Sequence, residues 1–470
     1  MANEAHQVSF EDLPSEIVLQ IFSSISDLPT LDHLTIVSPN AFRVFHTYGP
    51  EIIHQVANKS VIRETLVLMR CVAFIRRSMP ADKIEKTFEK FLRVHVMARG
   101  QLYESWPMRQ CGMPRDFPTG RWSFRNLLRG GLDKECPAHA FSAREFLVTA
   151  RRTAIRAEKC LARARAQYLD RVPACPAEKI CYGMMPWNDR FEGVRFAPPD
   201  GEPFTWVEMQ RMWRGFWRLQ LLEEIRTAEA AGRLGWRPSK DPLVPRKSFE
   251  KQYFDWMTTR DIDWGGTIHE LHMAEEFVKE TTGAGAAGTS DEVTAPGMRG
   301  NGMLWPAKTE RTKEMKSNPV WWIRHLKNHA PGWKVAYRLT AAPGSPLRFI
   351  PMSEFRKLGV FVWDFERLKD MGLLWYTPWK PSEFPVAGGD ASTIVFTWRS
   401  YLDEAVLRAA DSRAKEEWEA YHDDMRSRHG FHSEEFYVVG SDWMRFVRQR
   451  MYGLYEMDWI EKARVAVAAA

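Results

Sequence analysis

The stretch FEDLPSEIVLQIFSSISDLPTLDHLTIVSPNAFRVFHTYGPEIIHQV, residues 10–56, decides the fold of the N-terminal part of the chain. Four prolines punctuate it, at Pro14, Pro29, Pro39 and Pro50. Each is predicted to begin a helix, because the first helical position tolerates a missing N–H and a fixed φ. Ser38 stands before Pro39 as a typical N-cap, and Glu16 lies where a carboxylate favours the helix dipole. The pattern therefore predicts a run of short helices.

The first of these helices carries more apolar surface than a small bundle can bury. Its apolar residues are Ile17, Val18, Leu19, Ile21, Phe22 and Ile25. At 100° per residue they spread over an arc of about 200°, whereas a surface helix buries a stripe of somewhat more than about 100°. The excess needs a cover, and the sequence leaves open whether the rest of the chain or a second protein supplies it.

The same residues resemble an F-box, in the form common in fungal F-box proteins. The resemblance rests on an ordered run of positions: Leu13-Pro14, Glu16-Ile17, Ile21-Phe22, Asp27-Leu28, Leu31, Leu34, Ser38-Pro39, Phe42, Phe45 and Ile52-Ile53. Many F-boxes carry a tryptophan at the end of this run, where the present chain has Ile52 and Ile53. Helices around Glu208 and the stretch 355–368 also look like the body of fungal F-box proteins, with no activity attached.

The resemblance implies a three-helix domain over 8–57 that docks on the small Skp adaptor of a cullin-RING (SCF-type) ubiquitin ligase. The rest of the chain would then recruit an unknown protein substrate, and no catalysis or cofactor is expected of the chain itself. The residues assigned to the adaptor face or its immediate support are Leu13, Pro14, Ile17, Ile21, Leu28, Leu31 and Leu34. The residues assigned to the F-box core are Val18, Phe22, Phe42 and Phe45.

Downstream, the sequence predicts a mainly α body in two parts, 58–280 and 303–470, with at most a few short strands. A flexible low-complexity linker rich in Gly, Ala, Thr and Ser is expected between them at 281–302, because such residues bury too little area to offset chain entropy. One helix is predicted over 143–171, and its buried seam is Leu147, Ala150, Ala154, Ala157, Leu161, Ala164 and Tyr168. Further helices are predicted over 391–427 and 434–466, and a short strand over 359–363.

A second helix, predicted over 205–225, supports two interpretations. Its apolar face is Trp206, Met209, Trp213, Phe216 and Trp217, which indicates core packing. Its opposite face carries Arg211, Arg214 and Arg218, and the helix at 143–171 carries Arg152, Arg156, Lys159 and Arg163. If these cations are exposed on both helices, they favour an alternative function, that of a nucleic-acid or chromatin-associated protein. A net charge of +6 over 470 residues is small for a dedicated nucleic-acid binder, so nucleic acid is the less favoured partner.

Catalytic and metal motifs are weak throughout the chain. Gly283, Gly285 and Gly288 spell GxGxxG, but a charged helical stretch precedes them where a dinucleotide site needs a strand. His269, His272 and Glu276 share helical spacing without the HExxH pattern, and Cys136, His139, Cys175 and Cys181 are loosely spaced for zinc. An enzyme in the body remains a third hypothesis, without a cofactor or metal assigned to it.

The chain is expected to be soluble and to reside in the cytoplasm or nucleus. The most apolar stretch, 66–75, is too short to span a membrane and is interrupted by Arg70. The N-terminal residues lack the basic start and apolar core of a secretion signal. Six scattered cysteines without a CxxC pair fit reduced thiols.

Overall fold

The computed structural model describes residues 9–76, 127–128, 142–176, 193–199, 203–234, 253, 266–283, 332–333, 336, 340, 347, 349–373 and 397–429. Within these residues the chain is mainly α, with one antiparallel ribbon of two short strands. No helix in this described part is long and apolar enough to cross a membrane.

Three helices form a bundle at the N-terminus. They are α1 (Ser15–Ser24), α2 (Leu28–Val37) and α3 (Pro39–Ser60), and a 3-10 turn at Phe10–Asp12 precedes them. The Asp27 carboxylate caps α2 by accepting the Thr30 N–H, and the Ser38 hydroxyl caps α3 by accepting the Ala41 N–H. Both α1 and α2 pack on α3.

Pro50 does not begin a helix, contrary to the prediction, but lies inside α3. Proline in this position removes one N–H from the helical hydrogen-bond ladder. The helix continues because apolar residues on both sides of Pro50, including Phe45, Ile52 and Ile53, are buried in the bundle and hold the chain in register. Tertiary packing therefore outweighs the local preference of proline.

In the described part of the chain, the bundle is followed by α4 (Arg63–Arg76), α5 (Ala143–Leu169), α6 (Trp206–Ala230) and α7 (Gly266–Gly283). Helix α6 packs on both α4 and α7. It is tied to the turn between α3 and α4 by Gln210, whose amide donates to the Ser60 carbonyl and accepts from the Ile62 N–H. A capping box of Thr205 and Glu208 fixes where α6 begins.

The predicted buried seam of the 143–171 helix is confirmed in α5. All seven seam residues are buried, from Leu147 to Tyr168. The apolar face of the 205–225 helix is buried in α6 as well, and the Trp213 indole donates to the Thr153 hydroxyl on α5 at 2.9 Å. The large rings of α6 therefore build a core.

The prediction of a solvent-exposed basic face on α6 is wrong. Arg211 and Arg214 are buried and Arg218 is half-buried. The Arg214 guanidinium donates to both carboxylate oxygens of Glu270 on α7, at 2.8 and 2.5 Å. Arg214 can be buried because Glu270, on another helix, carries the opposite charge. The arginines of α6 therefore do not form a solvent-exposed row.

A second group of elements consists of α8 (Met352–Lys357), α9 (Phe365–Asp370), α10 (Glu404–His429) and the strands β1 (Ala174–Pro176) and β2 (Gly193–Arg195). In the ribbon, Ala174 pairs with Arg195 and Pro176 with Gly193. The predicted strand at 359–363 is instead a tight turn between α8 and α9. Gly359 has a φ of +73°, a left-handed backbone conformation that strands do not use and that glycine adopts without strain.

The chain divides into two compact units, residues 1–161 with 204–328, and residues 162–203 with 329–470. The bundle and helices α4, α6 and α7 belong to the first of these units. Helix α3 continues past residue 57 to Ser60, and α7 ends at Gly283, inside the predicted linker. Residues 284–302 and the predicted helix over 434–466 lie outside the described residues.

Candidate functional site

Four residues of the predicted adaptor face lie along the outer side of α1 and just before it. Pro14 is exposed, Ile17 is 39% exposed, and Leu13 and Ile21 are half-buried. Ile17 and Ile21 are four residues apart and share one side of α1, and Leu13 and Pro14 precede its first residue, Ser15. We call Leu13, Pro14, Ile17 and Ile21 the outer row of α1. None of the four is sealed beneath the downstream body.

The inner side of α1 completes the bundle core. Val18 and Phe22 are fully buried, and the Phe22 ring meets the Phe45 ring edge-on, with 6.4 Å between their centroids. Phe42 does not belong to this core, contrary to the prediction, because its side chain is 40% exposed. Its ring lies at the edge of the buried face of α3, stacked on His46 and covered by the Arg144 guanidinium.

The remaining predicted adaptor-face residues lie on α2 and differ in exposure. Leu28 and Leu31 have no exposed surface, whereas Leu34 is half-buried. The two buried leucines are covered because α2 packs on α3 and is also joined to α5, where Arg151 contacts the buried Asp32 carboxylate at 3.2 Å. They can therefore serve only as the immediate support of a docking face, because they have no surface with which to touch a partner.

Asn40, which was not among the residues predicted from the sequence, holds the Leu13-Pro14 step in place. Its buried side-chain amide donates to the Leu13 carbonyl at 2.9 Å and to the Phe10 carbonyl at 3.4 Å. Its backbone N–H donates to the Glu11 carboxylate at 2.8 Å, which places an anion at the start of α3. In the sequence, the one indication of this role is that Asn40 is a polar residue next to Ala41, in a stretch whose apolar residues face the core.

The other end of α1 is tied to α3 as well. The Lys59 ammonium, in the last turn of α3, donates to the Ser23 carbonyl at 2.7 Å. This carbonyl belongs to the last turn of α1, where the helix leaves acceptors unpaired. The outer row is therefore presented on a helix whose two ends are anchored.

Replacing Asn40 with alanine is expected to lower the free energy of unfolding by about 1–3 kcal/mol, because the partly buried Leu13 and Phe10 carbonyls lose the donor that Asn40 supplies. Chemical denaturation measures this change. Asn58→Ala on the same helix is the matched control, since Asn58 is exposed and should cost less than about 0.5 kcal/mol. Equal stability of the two variants would show that Asn40 does not hold the Leu13-Pro14 step.

The predicted basic stripe of the 143–171 helix is only partly exposed. Arg152 and Lys159 are exposed, whereas Arg156 and Arg163 are half-buried. The Arg152 guanidinium is engaged within the chain, where it donates to the Gln220 side chain at 2.9 Å. Together with the burial of Arg211 and Arg214, this leaves no continuous cationic face along the described parts of the two helices.

The described residues contain no group of three or more His, Cys, Asp or Glu side chains placed to hold a metal ion. His269 and His272 are half-buried on α7, and His272 Nδ1 lies 3.6 Å from the Glu275 carboxylate. Cys136, His139, Cys181, the side chain of Cys175, and Gly285 and Gly288 lie outside the described residues. Burial raises the pKa of the Cys71 thiol, which keeps it protonated and poorly nucleophilic.

No family model matches the chain, no curated protein matches it, and no solved structure matches its fold. The function is therefore inferred from the residues and geometry of the bundle alone.

Proposed function

We propose that the chain is an F-box-type substrate receptor that docks on the Skp adaptor of a cullin-RING ubiquitin ligase, in the cytoplasm or nucleus. The observation that carries this proposal is the uncovered outer row of α1. The inner side of the same helix already completes a core through Val18 and Phe22. The apolar excess expected from the sequence therefore remains available to a second protein.

The physical case for docking combines apolar area with rigidity. Fully burying a side chain such as Leu or Ile yields about 1.5–3 kcal/mol, and the outer row presents four apolar side chains that are still partly exposed. Because Asn40 and Lys59 anchor both ends of α1, little conformational freedom remains to be lost on binding. A pre-formed apolar row of this kind suits a protein partner better than a small ligand.

The proposed role of the chain is proximity without catalysis of its own. Binding the adaptor at one surface and a substrate at another raises the effective concentration of substrate lysines near the ubiquitin-loaded enzyme. The alternative role in nucleic-acid binding has lost support, because Arg211 and Arg214 are buried.

Changing Leu13 and Pro14 together to alanine is expected to weaken capture of a purified Skp adaptor protein by the tagged full-length chain at least about tenfold. The double variant removes apolar surface that the chain buries only in part, at Leu13, so its melting temperature should fall by only a few degrees. Pull-down at matched concentrations measures the capture.

A matched control is Val194→Ala, which trims a valine that is 60% exposed on β2 and should leave capture unchanged. If the double variant is unstable, Ile17→Glu replaces it, because Ile17 is exposed and the added carboxylate stays in water until a partner covers it. Wild-type capture by a folded Leu13→Ala/Pro14→Ala variant, or by folded Ile17→Glu, would refute the proposal.

A further inference from the structure

A second apolar surface lies where the first half of α5 meets the bundle. Arg144, Val148 and Arg151 follow a spacing of four and three residues, which places them on one side of α5. The Arg144 guanidinium carbon lies 5.2 Å from the centre of the Phe42 ring on α3. Arg151 contacts Asp32 on α2 at 3.2 Å. Val148 therefore lies between two contacts that join α5 to the bundle.

The apolar side chains around these contacts remain partly exposed to solvent. Val148 and Ile36 are each 50% exposed and Phe42 is 40% exposed. Ile36 lies one turn after Asp32 on α2, on the side of that helix that faces α5. We call Ile36, Phe42, Arg144 and Val148 the α5 flank patch. It shares no residue with the outer row of α1.

The α5 flank patch carries one formal charge, the positive charge of Arg144. Arg144 is exposed and forms no ion pair with a carboxylate among the described residues. Asp32 is fully buried against Arg151, and the Glu145 carboxylate accepts both the N–H and the O–H of Ser142, so neither carboxylate is paired with Arg144. Arg43, next to Phe42 in sequence, is exposed as well. Arg144 and Phe42 thus offer a guanidinium seated over an aromatic ring.

We propose that the α5 flank patch docks an acidic segment of a protein partner. A large apolar side chain of that segment would cover Ile36, Phe42 and Val148, and a neighbouring aspartate or glutamate would pair with Arg144. Charge complementarity selects this occupant, because a basic segment would meet Arg144 and Arg43 with like charge. The inference does not depend on adaptor binding by the outer row.

The test selects a displayed library of random short peptides on the immobilised full-length chain and titrates the enriched peptides by fluorescence polarisation. The expected peptides carry Asp or Glu within a few positions of Leu, Ile, Phe or Trp. Val148→Glu and Arg144→Glu should each weaken their binding at least about tenfold, since both place a carboxylate against the acidic segment. Replacing the acidic residues of a peptide with Gln or Asn should weaken it similarly.

Val194→Glu is the matched control, because it places the same carboxylate on a valine of similar exposure and should leave peptide affinity unchanged. Leu13→Ala/Pro14→Ala should also leave it unchanged, so failure of adaptor docking and failure of this inference are distinguishable. The inference is overturned if no peptide is enriched, if the enriched peptides lack acidic residues, or if they bind Val148→Glu and Arg144→Glu as well as the wild type.

Discussion

Replacing Glu270 with alanine is expected to lower the free energy of unfolding by about 3–5 kcal/mol. The Glu270 carboxylate receives two hydrogen bonds from Arg214, at 2.8 and 2.5 Å, and both side chains are buried between α6 and α7. The alanine variant leaves the guanidinium in the interior without this counter-charge. Urea denaturation followed by far-UV circular dichroism measures the loss.

Glu280→Ala is the matched control for this change, because Glu280 is an exposed glutamate on the same helix. It should cost less than about 0.5 kcal/mol. Replacing Arg214 and Glu270 together with methionine should restore part of the stability, because no unpaired charge is then buried. If Glu270→Ala is as mild as Glu280→Ala, the ion pair does not hold α6 against α7.

Gly359→Ala is expected to destabilise the unit that contains α8 and α9 by at least about 3 kcal/mol. The φ of +73° already disfavours any residue with a side chain. In addition, a β-carbon at this position would clash with the indole ring of Trp363. That ring is fully buried, and its Nε1–H donates to the Leu358 carbonyl at 2.6 Å, so it cannot move aside freely.

Gly232 provides the matched control for Gly359. It has a similar φ of +64°, but no atom lies within 4 Å of where a β-carbon would stand. Gly232→Ala therefore pays only the backbone cost of about 1–2 kcal/mol. Equal destabilisation by the two alanines, measured by thermal unfolding, would mean that the turn around Gly359 tolerates a side chain against Trp363.

The mainly α class and the principal helices could be predicted because the signals are local. The buried seam of α5, for example Ala150, Ala154 and Ala157, is visible as a repeat of three and four residues. Asp27 and Ser38 cap the helices that follow them. Such features need no knowledge of which distant segments meet.

The fold predictions that were wrong concern residues whose environment is set by segments distant in sequence. Arg214 looks solvent-exposed in sequence, and only its partner Glu270, 56 residues further on, explains why it is buried. Residues 359–363 are apolar enough for a strand, but the fold packs Gly359 against the ring of Trp363. Neither partnership leaves a periodic pattern in the sequence.

The candidate site likewise combines features that could be predicted from local sequence with features that depend on packing. The excess apolar arc of α1 could be predicted, and Pro14 and Ile17 remain exposed. Which residues of α2 and α3 share that surface depends on packing, since Leu31 is sealed in the bundle while Phe42 lies at its edge beneath Arg144. Asn40, which fixes the Leu13 backbone, makes contacts to a segment 27 residues earlier.

Isothermal titration of the purified full-length chain into a purified Skp adaptor protein tests the docking role of the outer row most directly. We predict saturable, equimolar binding with a dissociation constant in the micromolar range or tighter, and a dissociation constant at least about tenfold higher for Ile17→Glu. An absence of binding by the folded wild type, or an affinity that Ile17→Glu leaves unchanged, would contradict the assignment of this surface to the adaptor.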